Sequence, residues 1–166
     1  MCGIIGVFNN EKSVEFVIKG LEVLKNRKDA DFLIHTDSDE FYSKDMHELK
    51  QKVKRGSKNC IACCSCKTAL SRKRLGGRFV ADAEMYNVDE IKEAFSFLNE
   101  IDGVFAFACW IGRDVNGDDL LYIARDIIGL RPICFAHTDG FAFASDKRAL
   151  EAMGYPHAIE LDPRTI

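Results

Sequence analysis

A chain of 166 residues, 47% hydrophobic and 30% charged, is long and apolar enough to bury one core and reads as a single domain over 1–166. Its formal net charge of -3 gives no electrostatic reason to expect nucleic acid or an anionic membrane as partner, and no apolar run is long enough to span a bilayer. Met1-Cys2-Gly3 lacks the charged start of a secretory signal, so the chain is expected in the cytoplasm, with its seven cysteines reduced.

Gly3-Ile4-Ile5-Gly6-Val7-Phe8 reads as a short buried strand. Ser13 is placed to cap a helix whose apolar residues Val14, Val17, Ile18, Leu21 and Leu24 recur at helical spacing. Phe32 to His35 and Phe41-Tyr42 are strand candidates, Met46 to Arg55 is a polar helix, and Cys60 to Leu70 and Arg78 to Asp82 are strand-like. Asp89 caps a second amphipathic helix through Ile91, Ala94, Phe95 and Leu98. From Gly103 the pattern turns to consecutive strands: Gly103 to Trp110, Leu120 to Ala124, Ile133 to Ala136 and Phe141 to Ala144. Asn116-Gly117 and Asp139-Gly140 supply hairpin turns between them, and Lys147 to Met153 closes as a helix behind Ser145 as N-cap. Few helices among many hairpin-linked strands predict an α+β fold with helices packed on layered antiparallel sheets.

Cys2 is the first residue with chemical promise. Removal of Met1 leaves a terminal cysteine carrying both a thiol and an α-amine, and an amine of pKa about 7.7–8.0 can serve as base for its own thiol. From these residues alone, a buried apolar Cys2 remains the other reading. Cys60, Cys63, Cys64 and Cys66 invite a zinc or iron–sulfur reading. They lie in an apolar run without turn residues, where alternate side chains face opposite ways, so small core residues are expected and no metal. His35, His47, His137 and His157 are scattered without ligand spacing.

The opening MCGIIGVF resembles that of the class II glutamine amidotransferases, whose terminal cysteine attacks the side-chain amide of glutamine. The resemblance continues through Ile101-Asp102-Gly103-Val104-Phe105-Ala106-Phe107-Ala108. Leu120 to Pro132, containing Ala124-Arg125-Asp126, is similar to the family's "ARDxxGxxP" hairpin, and Phe141 to Leu150 to its "FASExKAL" segment. These matches cover about half the chain, and their wording is nearest to the glutaminase domain of asparagine synthetase. The implied fold is a four-layer αββα N-terminal-nucleophile sandwich of two antiparallel sheets between helices. The implied reaction is hydrolysis of L-glutamine to glutamate and ammonia through a Cys2 thioester.

The resemblance also assigns site residues. The family's "NGEIYN" segment, whose Asn side chain and Gly backbone N–H form an oxyanion hole, corresponds to Asp82-Ala83-Glu84-Met85-Tyr86-Asn87. Asp82 thus replaces the donor Asn and Ala83 the Gly, and an ionised carboxylate donates no hydrogen bond. Glu84 falls in the substrate-binding stretch, and Lys67 is the nearest counterpart of the arginine that holds the glutamine carboxylate, with Arg72 or Arg74 as alternatives. The early "HRGPD" element is reduced to Asn26-Arg27-Lys28-Asp29-Ala30-Asp31. No cofactor is expected for this domain; ATP and magnesium would belong to an associated synthetase domain, the ammonia acceptor, whose "SGGxDS" loop the chain lacks. The chain is then either complete or the N-terminal part of a longer asparagine-synthetase-like protein, and an oligomer is compatible with either. The alternative is a degenerate amidotransferase-like domain with an interaction or regulatory role.

Overall fold

The computed structural model describes residues 3–25, 31–64, 77–85 and 102–163. Ten strands in these residues form two antiparallel sheets. Numbered β1 to β10 in chain order, they give a seven-stranded sheet running Ile159–Glu160, Cys134–Thr138, Gly140–Ala144, Gly3–Phe8, Cys60–Cys64, Phe32–Thr36, Glu40–Ser43 (β10-β8-β9-β1-β4-β2-β3) and a three-stranded sheet running Arg78–Met85, Gly103–Arg113, Asp119–Arg125 (β5-β6-β7). The expected α+β class with two antiparallel sheets and few helices is what the chain adopts. The second amphipathic helix expected from Asp89 lies outside the described residues.

The strand β1 (Gly3–Phe8) sits near the middle of the large sheet between β4 (Cys60–Cys64) and β9 (Gly140–Ala144), with all six residues buried. Its alternation divides the core. Ile5 and Val7 face the helical layer, whereas Ile4 and Phe8 face the second sheet. The helix α1 (Ser13–Leu24) buries Val14, Val17, Leu21 and Leu24, the stripe its 3.6-residue spacing predicts. Gly20 lets this helix approach β1 closely, since a Cβ there would stand 2.1 Å from Ile5 Cδ1. Ser13 does not cap the helix; Lys12 occupies that position without a side-chain bond, and the Ser13 hydroxyl donates to the Ser57 carbonyl (2.6 Å).

The remaining expected elements appear with shifted bounds. They are β2 (Phe32–Thr36), β3 (Glu40–Ser43), α2 (Met46–Lys52), β5 (Arg78–Met85), β6 (Gly103–Arg113), β7 (Asp119–Arg125), β8 (Cys134–Thr138) and α3 (Lys147–Ala152). The two-residue strand β10 (Ile159–Glu160), unforeseen in the sequence, pairs with β8. Of the run expected to be strand-like from Cys60 to Leu70, the part after Cys64 lies outside the described residues. Around Asn116-Gly117 the carboxylate of Asp114 accepts the N–H groups of Asn116 and Asp118, closing the β6–β7 hairpin.

The two sheets meet across an apolar layer that includes Ile4, Phe8, Ile61, Cys63, Val80, Ala106, Trp110 and Phe143. Phe8 packs edge-on against Trp110, with centroids 5.2 Å apart. The Trp110 indole donates to Asp119 (3.1 Å) and carries the Arg78 guanidinium over its face at 4.3 Å. Residues of opposite parity on β5 and β6, such as Phe79, Ala81, Phe105 and Phe107, form a separate cluster on the outer face of the small sheet.

Candidate active site

Strand alternation decides where β5 points its chemistry. Val80 faces the layer between the sheets, and Asp82, two residues on, continues that face. Asp82 is 4% exposed. Burial raises its carboxyl above the usual carboxylate range, against the opposing pull of the Arg131 guanidinium. Arg131 Nη1 stands 3.7 Å from Asp82 Oδ1, and its Nη2 donates to Glu84 Oε1 at 2.8 Å. Asp82 and Glu84 therefore converge on a single arginine from the turn after β7, which lies across the small sheet at the same end of its strands.

Arg131 is held by its own turn. The Asp126 carboxylate, 1% exposed, accepts the backbone N–H groups of Ile128, Gly129, Leu130 and Arg131 at 2.7–3.1 Å. Burial works against this carboxylate, yet the four amides together outweigh it and hold the Asp126 pKa below the usual value. The adjacent Arg125 and Asp126, which by themselves read as a turn tied by a charge pair, do not bond to each other. Arg125 donates instead to Glu160 (2.7 Å), to the Leu161 carbonyl (2.7 Å) and to the Gly129 carbonyl, tying β7 to β10. Both residues are structural, through partners the sequence does not disclose.

The amide of Ala83 takes its direction from the ladder. Asp126 N–H donates to the Phe105 carbonyl (2.8 Å), so the polar backbone atoms of Phe105 point toward β7. Ala83 stands opposite Phe105. Its own N–H and C=O therefore point away from β6, to the outer edge of the small sheet.

The start of β1 is fixed by a pair of bonds that sequence reasoning missed. Ile4 N–H donates to Ser145 Oγ (3.0 Å), and Ser145 N–H returns a bond to the Ile4 carbonyl (2.9 Å). Ser145 is thus no N-cap. Asp146 takes that role for α3, accepting from the Arg148 amide at 2.8 Å. Arg131 was equally unmarked, although an arginine between apolar Leu130 and Pro132 was a signal that a buried acidic partner awaited it.

Cys2, Lys67, Arg72, Arg74, Tyr86 and Asn87 lie outside the described residues. Of the cysteine cluster, Cys60, Cys63 and Cys64 are buried in β4, as small core residues should be, and Cys66 lies outside the described residues. Cys60 is a free thiol and the Cys64 thiol donates to the Leu24 carbonyl (3.7 Å), but Cys63 is in a disulfide, which corrects the expectation that all seven cysteines are reduced. Burial pushes the Cys60 thiol far above its ordinary pKa, and that of Cys109 up to about 11, so neither is a ready nucleophile. Among the described residues no group of three His, Cys, Asp or Glu side chains is placed to hold a metal ion, and no helix is long and apolar enough to cross a membrane.

Two solved structures share this fold. A glutamine phosphoribosylpyrophosphate (PRPP) amidotransferase from B. subtilis complexed with ADP and GMP superposes with a TM-score of 0.69 at 15% identity, covering 98% of this chain and 46% of that one. A structure described as the allosteric regulatory enzyme of purine biosynthesis gives 0.71 at 14% identity, covering 98% and 45%. The chain thus spans a little under half the length of these proteins. No curated protein sequence matches it. The family model described as "Glutamine amidotransferase domain" matches residues 65–152, just over half of the chain. With that model matched over more than half of its length, and with a fold shared with these amidotransferase structures, the chain belongs to the glutamine amidotransferase domain family.

Proposed function

We propose that this domain hydrolyses L-glutamine to L-glutamate and ammonia with Cys2 as nucleophile, and that the ammonia serves an ATP- and magnesium-dependent reaction of the asparagine-synthetase type in an associated domain or subunit. The observation that carries the reading is the juxtaposition of β1 and β5. β1 packs on β5 and β6, and Phe8, at its far end, meets Trp110, the register partner of Arg78. The near end of β1, which follows Cys2 directly, then lies toward the Asp82 end of β5, and Ile4 shares its cluster with Val80 and Ala106.

In this reading the α-amine of Cys2 takes the thiol proton, and the thiolate attacks the amide carbon of glutamine. The oxyanion so formed is met by the edge-facing Ala83 N–H. Collapse expels ammonia, which leaves with the proton held by the amine, and a thioester remains. Water then attacks the thioester, giving up its proton to the same amine, and glutamate departs as the thiol is restored. Lys67 is assigned to the glutamine carboxylate, as a point charge where a guanidinium would grip with two bonds.

The second reading, a degenerate module that no longer turns over glutamine, is favoured by one observation, the buried carboxylate of Asp82 in the donor position. A glutaminase assay decides between them, using protein whose intact mass confirms loss of Met1. Turnover abolished by Cys2→Ala supports the hydrolase. Absence of turnover in the processed wild-type protein leaves the regulatory module. Feeding the released ammonia to aspartate with ATP, or alternatively to PRPP, then identifies the acceptor.

A further inference from the structure

We propose that Arg131 is a catalytic cation of this site, offsetting the charge of Asp82 and supplying the hydrogen-bond donor that the Asn-to-Asp replacement removed from the oxyanion position. The proposal rests on the glutamine-hydrolysing reading above. Its geometric basis is the guanidinium itself. Nη2 is used by Glu84, whose side chain is two-thirds exposed, so this contact is screened and easily exchanged. Nη1 lies 3.7 Å from Asp82 Oδ1, too far for a formed hydrogen bond and near enough for electrostatic neutralisation. Nε is buried and has no partner among the described residues. An arginine in a turn of this kind is expected to satisfy its donors on nearby carbonyls, and Arg125 does so with Gly129 and Leu161. Arg131 touches no backbone carbonyl among the described residues. Nη1 and Nε are thus held in reserve beside the buried carboxylate of Asp82, which faces the layer between the sheets.

Preorganisation strengthens the assignment. The Asp126 carboxylate fixes the amide of Arg131 itself (3.1 Å), and Pro132 fixes the backbone just beyond. A guanidinium carried on a turn so closely bonded keeps its position as charge develops, which is the condition for electrostatic stabilisation of a transition state. Asp82 in turn orients the guanidinium, so the pair replaces the single neutral amide of the family's oxyanion segment. Charge is then conserved at the position, since Asp82 and Arg131 together are neutral as an asparagine is.

Steady-state glutaminase kinetics of Arg131→Met, Arg131→Lys, Asp82→Asn and the Arg131→Met/Asp82→Asn double variant test the proposal, with Tm measured for each. Arg131→Met should lower kcat about 10²-fold or more while KM stays within about threefold. In the Asp82→Asn background the same change should cost about tenfold or less, because no uncompensated carboxylate is left and the amide restores a donor. Arg131→Lys keeps the charge, folds if Arg131→Met does not, and should recover part of kcat. A rise in KM at unchanged kcat would make Arg131 an anchor for the substrate carboxylate and overturn the proposal. Equal losses in both backgrounds would do the same, as would unchanged kcat in Arg131→Met and Arg131→Lys. Absence of turnover in processed wild-type protein instead overturns the hydrolase reading, and this proposal with it.

Discussion

At the scale of single residues, Asp82 concentrates the chemistry. Its carboxyl is raised in the folded state by burial, more than Arg131 lowers it. A carboxyl with a raised folded pKa favours folding while protonated, and that stability is lost as pH climbs from the unfolded value of about 3.9 through the folded one. Asp82→Asn should therefore raise Tm more at pH 7 than at pH 4, a contrast that paired thermal melts will reveal. It should also raise glutaminase turnover, by about tenfold at most, since an amide at this position donates directly where the Asp82–Arg131 pair otherwise stands in for it. Lower turnover in Asp82→Asn would give the carboxylate a positive role, such as holding the substrate amine. Ser145 is a quieter case. Ser145→Ala strips the buried Ile4 N–H of its acceptor, at a cost of about 1–3 kcal/mol. Because β1 leads directly from Cys2, the loss should appear in the rate of Cys2 labelling as well as in denaturant melts.

Elements owe their precision here to buried polar staples. The turn after β7 carries three exposed apolar side chains, Ile127, Ile128 and Leu130, which contribute little packing of their own. Its shape comes from Asp126, whose two oxygens collect four amides. Asp126→Ala leaves those donors without their acceptor and should cost about 3 kcal/mol, read by urea unfolding, and displace Arg131. The folded pKa of Asp126 is depressed, so its stabilisation is present above the unfolded value and fades as pH falls below about 4 through the lower folded value. In acid titrations the stability gap between the wild type and Asp126→Asn should be full above that window and close as pH falls through it. In α1 the corresponding constraint is steric. Gly20→Val would drive a branched side chain into Ile5 and Met153, and should destabilise the protein by more than a typical surface change.

Across the whole molecule, the two sheets are a scaffold that sets a terminal strand beside an edge strand. If Cys2 is the nucleophile, the glutamine analogue diazo-oxo-norleucine should alkylate it and spare the cysteines of β4. Burial holds the Cys60 thiol protonated, and Cys63 is engaged in a disulfide. Peptide mapping after labelling checks this, and preferential modification of Cys60 or Cys64 would sink the assignment. Retention of Met1 in cell-derived protein would do so as well, because the amine that serves as base would then be an amide.

What the sequence determined by itself was local. The run Gly3 to Phe8, the stripe Val14 to Leu24 and the Asn116-Gly117 turn each depend on residues within one or two turns of each other, where periodicity and turn chemistry decide the outcome. The motif strings also carried the family, because they are contiguous. Tertiary structure alone decided the rest. Ser145 met Ile4 across 141 positions, Arg131 met Glu84 across 47, and Arg125 met Glu160 across 35. A serine before a helix reads as a cap until the start of a neighbouring strand offers it a better donor, and an Arg-Asp dipeptide reads as a pair until each finds partners of its own. Such choices follow from which polar groups are left unsatisfied once the sheets have packed, and that depends on the whole fold.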